Sequence, residues 1–224
     1  MKLDQAYFDA VIDRAGTACE KWDGRQEVFG RGDVIPLWVA DMDFACSPAI
    51  VEALKARAAH PIYGYTDDEP ENRLAEVNFL KRRFDLTVAS EWILASPSVV
   101  DSMLFSLYAL TAPGERVLIQ PPVYGPFRET ILRAGRAVAE SPLVETGEGW
   151  RMDFSSLESA FRGGIRCMFL CNPHNPVGRV WSKEELRTYA EICRKYNVAV
   201  ICDEIHADFV FKGHKHIPFA SVSE

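Results

Sequence analysis

The chain has 224 residues, of which 48% are hydrophobic and 25% charged, and its formal net charge is -7. That composition belongs to an ordinary globular protein, with enough length for one large domain or two small ones. The acidic balance argues against a nucleic-acid or anionic-membrane surface, and no stretch approaches the roughly 18 uninterrupted apolar residues of a membrane span.

Taken in chain order, residues 1–16 (MKLDQAYFDAVIDRAG) read as an acidic amphipathic helix. They do not have the basic region and apolar core of a signal peptide, so none is expected. Residues 1–45 include KWDGRQEVFGRGDVIPLWVADMDF, rich in Gly, Trp and acids and without clean periodicity. They are assigned to an N-terminal arm and part of a small domain, and residues 46–224 to a large domain. RAAHPIYGYTDDEPENRL (57–74) is a loop leading into a helix with Leu74, Val77, Leu80 and Phe84 as apolar positions.

Beyond about residue 90, short apolar runs alternate with helical patterns. Strands are predicted at EWILAS (91–96), RVLIQ (116–120), AVAES (137–141), CMFLC (167–171) and VAVICD (198–203). Helices are predicted over 99–110, near 125–134, near 155–161 and over 182–196. Ser182 and Glu185 have the spacing of a capping box, which marks the start of the last helix. Continuous apolar strands alternating with helices imply an α/β fold, with a mainly parallel sheet covered by helices on both faces. No internal repeat or low-complexity segment interrupts the pattern.

The six cysteines (Cys19, Cys46, Cys167, Cys171, Cys193, Cys202) form no CxxC pair and no zinc spacing, so no metal is expected. They read as free thiols of a reducing compartment, which points to the cytoplasm.

Parallel sheets bind ligands beyond the carboxyl ends of their strands. Four such ends stand out. Asp203 closes an apolar strand, where a carboxylate needs a cation or donor to meet it. Tyr124 follows a strand and a Pro-Pro and presents an aromatic face. Asn175 is a neutral amide in the turn NPHNPVG, which holds two Asn-Pro dipeptides around His174. Ser98, Val99 and Val100 sit where a helix begins and their N–H groups can receive an anion. A flat, protonated heteroaromatic ring carrying an anionic group suits all four, and pyridoxal 5'-phosphate has that shape.

With these residues in view, the chain resembles the fold-type-I pyridoxal-phosphate enzymes of the class I/II aminotransferase group. Within that group it is most similar to the cystathionine β-lyase and carbon–sulfur lyase branch. KWD, LWVADMDF, YGYT, PPVYGPF, NPHNPVGRVW and DEIHADF occur in the family's order over nearly the whole chain. The resemblance implies that Asp203 pairs with the pyridine nitrogen, Asn175 with the phenolic oxygen, and Tyr124 with the ring face. It places His206 near the phenolic oxygen and the amides of Val99 and Val100 at the phosphate. Tyr65 resembles the tyrosine that reaches the phosphate in a neighbouring subunit's site, which implies a homodimer with shared sites and a small amino-acid substrate. Trp38, Asp41 and Asp43 are equally readable as pocket-lining residues or as loop anchors.

Two departures from the family's pattern stand out. Relatives usually carry Gly where this chain has Ser98. The Ser-x-x-Lys or Ser-Lys motif that supplies the family's Schiff-base lysine follows the region matched by HIPFASVSE, so the resemblance places it beyond Glu224. Lys212 and Lys215 lack that context and read as solvated loop lysines. The implied activity is carbon–sulfur β-elimination, with the lysine-lacking chain inactive alone. Amino transfer, or a non-catalytic regulatory or truncated member of the fold, is the alternative.

Overall fold

A computed structural model describes residues 3–67 and 69–222. The chain forms two compact units, Met1–Asp67 and Asp68–Glu224.

The first unit holds short helices α1 (Gln5–Phe8), α2 (Glu20–Asp23) and α3 (Arg25–Phe29), followed by the longer α4 (Pro48–Ala59). The amphipathic helix expected over 1–16 is confined to α1 within the described residues, a correction with a physical cause. Short helices need tertiary burial of an apolar stripe, and here Val11 is 98% exposed. The unit's order comes instead from a polar web joining two sequence motifs. Asp43 accepts from Lys21 Nζ, Trp22 Nε1 and Arg14 Nη1, each at 2.7 Å. Arg14 also pairs with Asp41, and Trp38 Nε1 donates to the Lys21 carbonyl at 3.2 Å. Within this unit Asp41, Asp43 and Trp38 act as loop anchors that tie LWVADMDF to KWD.

The second unit begins with α5 (Pro70–Phe84), carrying the apolar positions expected after the 57–74 loop. A 3-10 turn at Ser90–Trp92 stands where EWILAS was expected to form a strand. Trp92 and Leu94 are 72% and 83% exposed there. A β-branched run without a neighbouring strand has nothing to pair with, and the expectation fails for that reason.

From there the alternation is as predicted: α6 (Val99–Leu110), β1 (Arg116–Ile119), α7 (Gly125–Arg133) and β2 (Ala137–Glu140). A two-stranded antiparallel hairpin, β3 (Val144–Thr146) with β4 (Gly149–Arg151), was not anticipated. Then follow α8 (Phe154–Arg162), β5 (Cys167–Cys171), α9 (Lys183–Lys195) and β6 (Ala199–Asp203). The main sheet has the order β2-β1-β5-β6, and every pair in it is parallel.

Side chains alternate across each strand, and the two resulting cores show which face each residue serves. Val117, Ile119, Cys167, Phe169 and Cys171 pack with Met103 and Leu107 of α6 and with Phe127 and Ile131 of α7. Leu118, Met168 and Leu170 pack on the opposite face, with Leu157 and Phe161 of α8 and Leu186, Tyr189 and Cys193 of α9. Two helices therefore cover each face, as the sequence pattern implied. The Ser182–Glu185 capping box at the start of α9 is present in both directions.

Candidate functional site at the carboxyl edge of the sheet

The alternation continues past the last residue of β6 and decides what faces the α6/α7 side. Ile201 packs with the cluster on that side, and Val200 and Cys202 pack with the other. Asp203 therefore shares the face of Ile201 and Cys171, and β5 sets Cys171 directly opposite it. Helices α6 and α7 both start at this edge of the same face, so the site assembles beneath two helix N-termini.

Asp203 is 8% exposed, and its Oδ1 accepts the Ile205 N–H at 3.0 Å. Burial pushes its carboxyl above the usual carboxylate range, opposed by the Ile205 N–H and by nearby His206. Among the described residues no ion pair is formed by this carboxylate. A buried acid in that state calls for a cation.

The NPHNP turn is fixed to its surroundings at both ends. The Asn172 N–H donates to the Asp203 carbonyl at 2.9 Å, and the Asn175 N–H points to Cys171 Sγ at 3.4 Å. The Asn175 carbonyl accepts the Tyr124 N–H at 3.1 Å. His174 is 1% exposed; its Nε2 lies 3.0 Å from the Pro122 carbonyl, and its ring meets Trp181 edge-on at 5.6 Å. Burial lowers the pKa of His174, so the neutral ring donates from Nε2. The turns after β1 and β5 are thus joined twice, by His174 to Pro122 and by Asn175 to Tyr124. His174 serves this purpose without having been singled out as a site residue; the signal available was a polar ring set directly behind a fully apolar strand.

Tyr124 is the N-cap residue of α7 and is 40% exposed, with its ring edge-on to Phe127 at 6.2 Å. Asn175 and His206 both line a cavity of about 460 Å³, together with Phe209, Phe211 and His214. Asn175 and His206 thus share a cavity, and main-chain hydrogen bonds link the Asn172–Asn175 turn to Tyr124 on one side and to Asp203 on the other, although neither Tyr124 nor Asp203 lines that cavity.

Ser98 is the N-cap of α6, with extended backbone angles (φ -156, ψ 163) that any residue adopts. The Gly-to-Ser departure costs no backbone strain. Its Oγ accepts the Asp101 N–H at 3.0 Å and its hydroxyl donates to the Asp101 carboxylate at 2.9 Å. The first-turn amides of Val99 and Val100 have no intrahelical acceptor, and Val100 and Val123 pack against the core beneath the site. Tyr65 belongs to the first unit, where its side chain is fully exposed. Lys212 and Lys215 are exposed in the loop after β6.

The fold defines a parallel α/β protein that gathers strand ends and the N-termini of α6 and α7 at one edge of its sheet. Residues 32–224 match the family model for class I and II aminotransferases. The chain belongs to that family. It is 43% identical over 218 residues to the cystathionine β-lyase PatB of Bacillus subtilis, covering 97% of this chain and 56% of that protein. A crystal structure of a PLP-bound protein from Clostridium difficile 630 superposes with a TM-score of 0.92 at 40% identity, over 96% of this chain and 56% of that one. Cystalysin from Treponema denticola, solved with a pyridoxal 5'-phosphate cofactor, gives 0.90 at 32% identity over the same shares. The chain spans about half the length of these relatives. Among the described residues no helix is long and apolar enough to cross a membrane.

Proposed function

We propose that this chain supplies the cofactor-binding half of a pyridoxal-phosphate-dependent carbon–sulfur β-lyase, which converts cystathionine or a related cysteine S-conjugate to pyruvate, ammonia and a thiol. The observation that carries the reading is the buried Asp203 carboxylate without an ion-pair partner. A protonated pyridine nitrogen is the cation such a group calls for. In this reading Tyr124 stacks on the ring, and Asn175 and His206 hydrogen-bond its phenolic oxygen. Ser98 and the amides of Val99 and Val100 hold the phosphate. Tyr65 reaches the phosphate of the neighbouring site in a cytoplasmic homodimer.

When bound, the cofactor acts as an electron sink, so that loss of the α-proton can expel the β-thiolate. This chain's own residues have narrower tasks. Asp203 keeps the ring nitrogen protonated. Asn175 and His206 orient the ring through hydrogen bonds, and Tyr124 covers one face against water. The amino-acid relatives named as C–S lyases and β-lyases support elimination.

The test is release of pyruvate from L-cystathionine by the complete polypeptide, with one water consumed for each pyruvate and ammonia formed. Keto-acid-dependent amino transfer without pyruvate release would instead favour an aminotransferase, the second reading, which the family model itself supports. Residues 1–224 alone are expected to release no pyruvate, because the resemblance places the family's cofactor-linking lysine outside them. Appreciable turnover by that polypeptide refutes this part of the proposal. Absence of both reactions in the complete polypeptide would leave a non-catalytic member of the fold.

A further inference from the structure

The motif DEIHADF holds three polar residues in a row of four, and the site reading uses only Asp203 and His206. Strand alternation turns Glu204 to the opposite face, with Cys202 and the α8/α9 core. There its carboxylate collects donors from two directions. Oε1 accepts the Phe219 N–H at 2.6 Å and lies 3.4 Å from Cys202 Sγ, and Oε2 stands 3.3 Å from His216 Nε2.

His216 is 3% exposed, and its ring packs edge-on to Phe84 at 5.3 Å. One residue further on, the Ile217 carbonyl accepts from Asn172 Nδ2 at 2.9 Å. Asn172 is fully buried, and its own N–H donates to the Asp203 carbonyl. Segment 216–219 is thus laced to the two residues that open the turns carrying Asn175 and Asp203.

We propose that Glu204 is a positioning residue for the cofactor ring. By gripping His216 and the Phe219 amide from behind the sheet, it fixes the backbone at the end of β6 so that the Asp203 carboxylate stands at the ring nitrogen. This inference rests on the site reading given above. Three features separate it from ordinary packing. Glu204 is the residue next to Asp203, so any shift of its backbone is a shift of Asp203. Its carboxylate joins donors on a separate segment of chain. That segment is tied independently, through Asn172, to the turn that presents Asn175.

The two candidate functions of the pair Asp203–Glu204 therefore differ. Asp203 touches the ligand, and Glu204 acts through Asp203. Energetic coupling between the two is what a purely structural role for Glu204 would lack, because independent effects on separate properties add.

The experiment is a double-mutant cycle on the dissociation constant for pyridoxal 5'-phosphate in the complete polypeptide, with thermal midpoints recorded for every variant. Glu204→Ala is expected to weaken cofactor binding about tenfold in the wild-type background, and less than about twofold once Asp203→Asn is present. Glu204→Gln retains an acceptor for the Phe219 N–H and keeps a side chain of the same shape and length against the His216 ring. It is expected to restore affinity to within about twofold of wild type, and it keeps the cycle readable if the alanine variant folds poorly. Equal weakening by Glu204→Ala in both backgrounds overturns the proposal, as does unchanged affinity. If Asp203→Asn leaves affinity intact, the site reading itself fails, and the inference built on it fails too.

Discussion

His174→Phe isolates one partly buried hydrogen bond at the candidate site. The wild-type ring is 1% exposed, lies 5.6 Å from Trp181, and donates from Nε2 to the Pro122 carbonyl at 3.0 Å. Phenylalanine keeps an aromatic ring against Trp181 but leaves the Pro122 carbonyl without that donor. The bond is only partly buried, because Pro122 itself is exposed, and a hydrogen bond of that kind contributes about 1 kcal/mol, so the variant should lose about 1 kcal/mol at about pH 8. The pH dependence has a definite sign. Burial lowers the imidazole pKa below its ordinary 6.5. The unfolded chain therefore binds more protons at this position as the pH falls through 6.5, and wild-type stability, full above that value, declines below it. The phenylalanine variant lacks this decline, so the gap between the two proteins should narrow by about pH 5.5. Urea unfolding of the second unit, followed by tryptophan fluorescence at both pH values, measures this. A gap under about 0.5 kcal/mol at the higher pH, or one that widens on acidification, would refute the reasoning.

Three further outcomes are expected. Ser182→Ala removes a capping box at the start of α9 and should lower stability by about 1 kcal/mol in the same unfolding assay. Phe161→Ala empties a fully buried position between α8 and the sheet, and a loss of about 3–5 kcal/mol is expected, read from the shift in denaturation midpoint. Burial pushes the thiols of Cys167 to about 11 and of Cys171 and Cys193 to about 12. A thiol-reactive dye should therefore label Cys46 and Cys19 in the folded protein while those three require urea, as peptide mapping would show.

The elements legible in the sequence are those whose pattern and packing agree. CMFLC is buried at every position and forms β5 as predicted. The Ser182–Glu185 spacing located the start of α9 because a cap is a local interaction. EWILAS misled because a strand also needs a partner, which composition does not reveal. Helix α4 buries none of its residues, so its apolar positions show no stripe to read. The same contrast holds at the site. Asp203, Tyr124 and Asn175 were visible because they interrupt apolar or turn patterns at strand ends. His174 and Glu204 were not, because their roles lie in contacts with Pro122, His216 and Phe219, up to 52 residues distant in the chain.

Ala199 through Cys202 are small or branched apolar residues, of which Ile201 packs on one face of the sheet and Val200 and Cys202 on the other. Sliding β6 by one position against β5 would send each of these side chains to the other face of the sheet. It would also exchange Asp203, which forms no ion pair among the described residues, for Glu204, which already holds an imidazole and an amide. The hydrocarbon side chains and the carboxylates at the strand's tip thus depend on one alignment, and a single chain position decides which acid stands on the α6/α7 face.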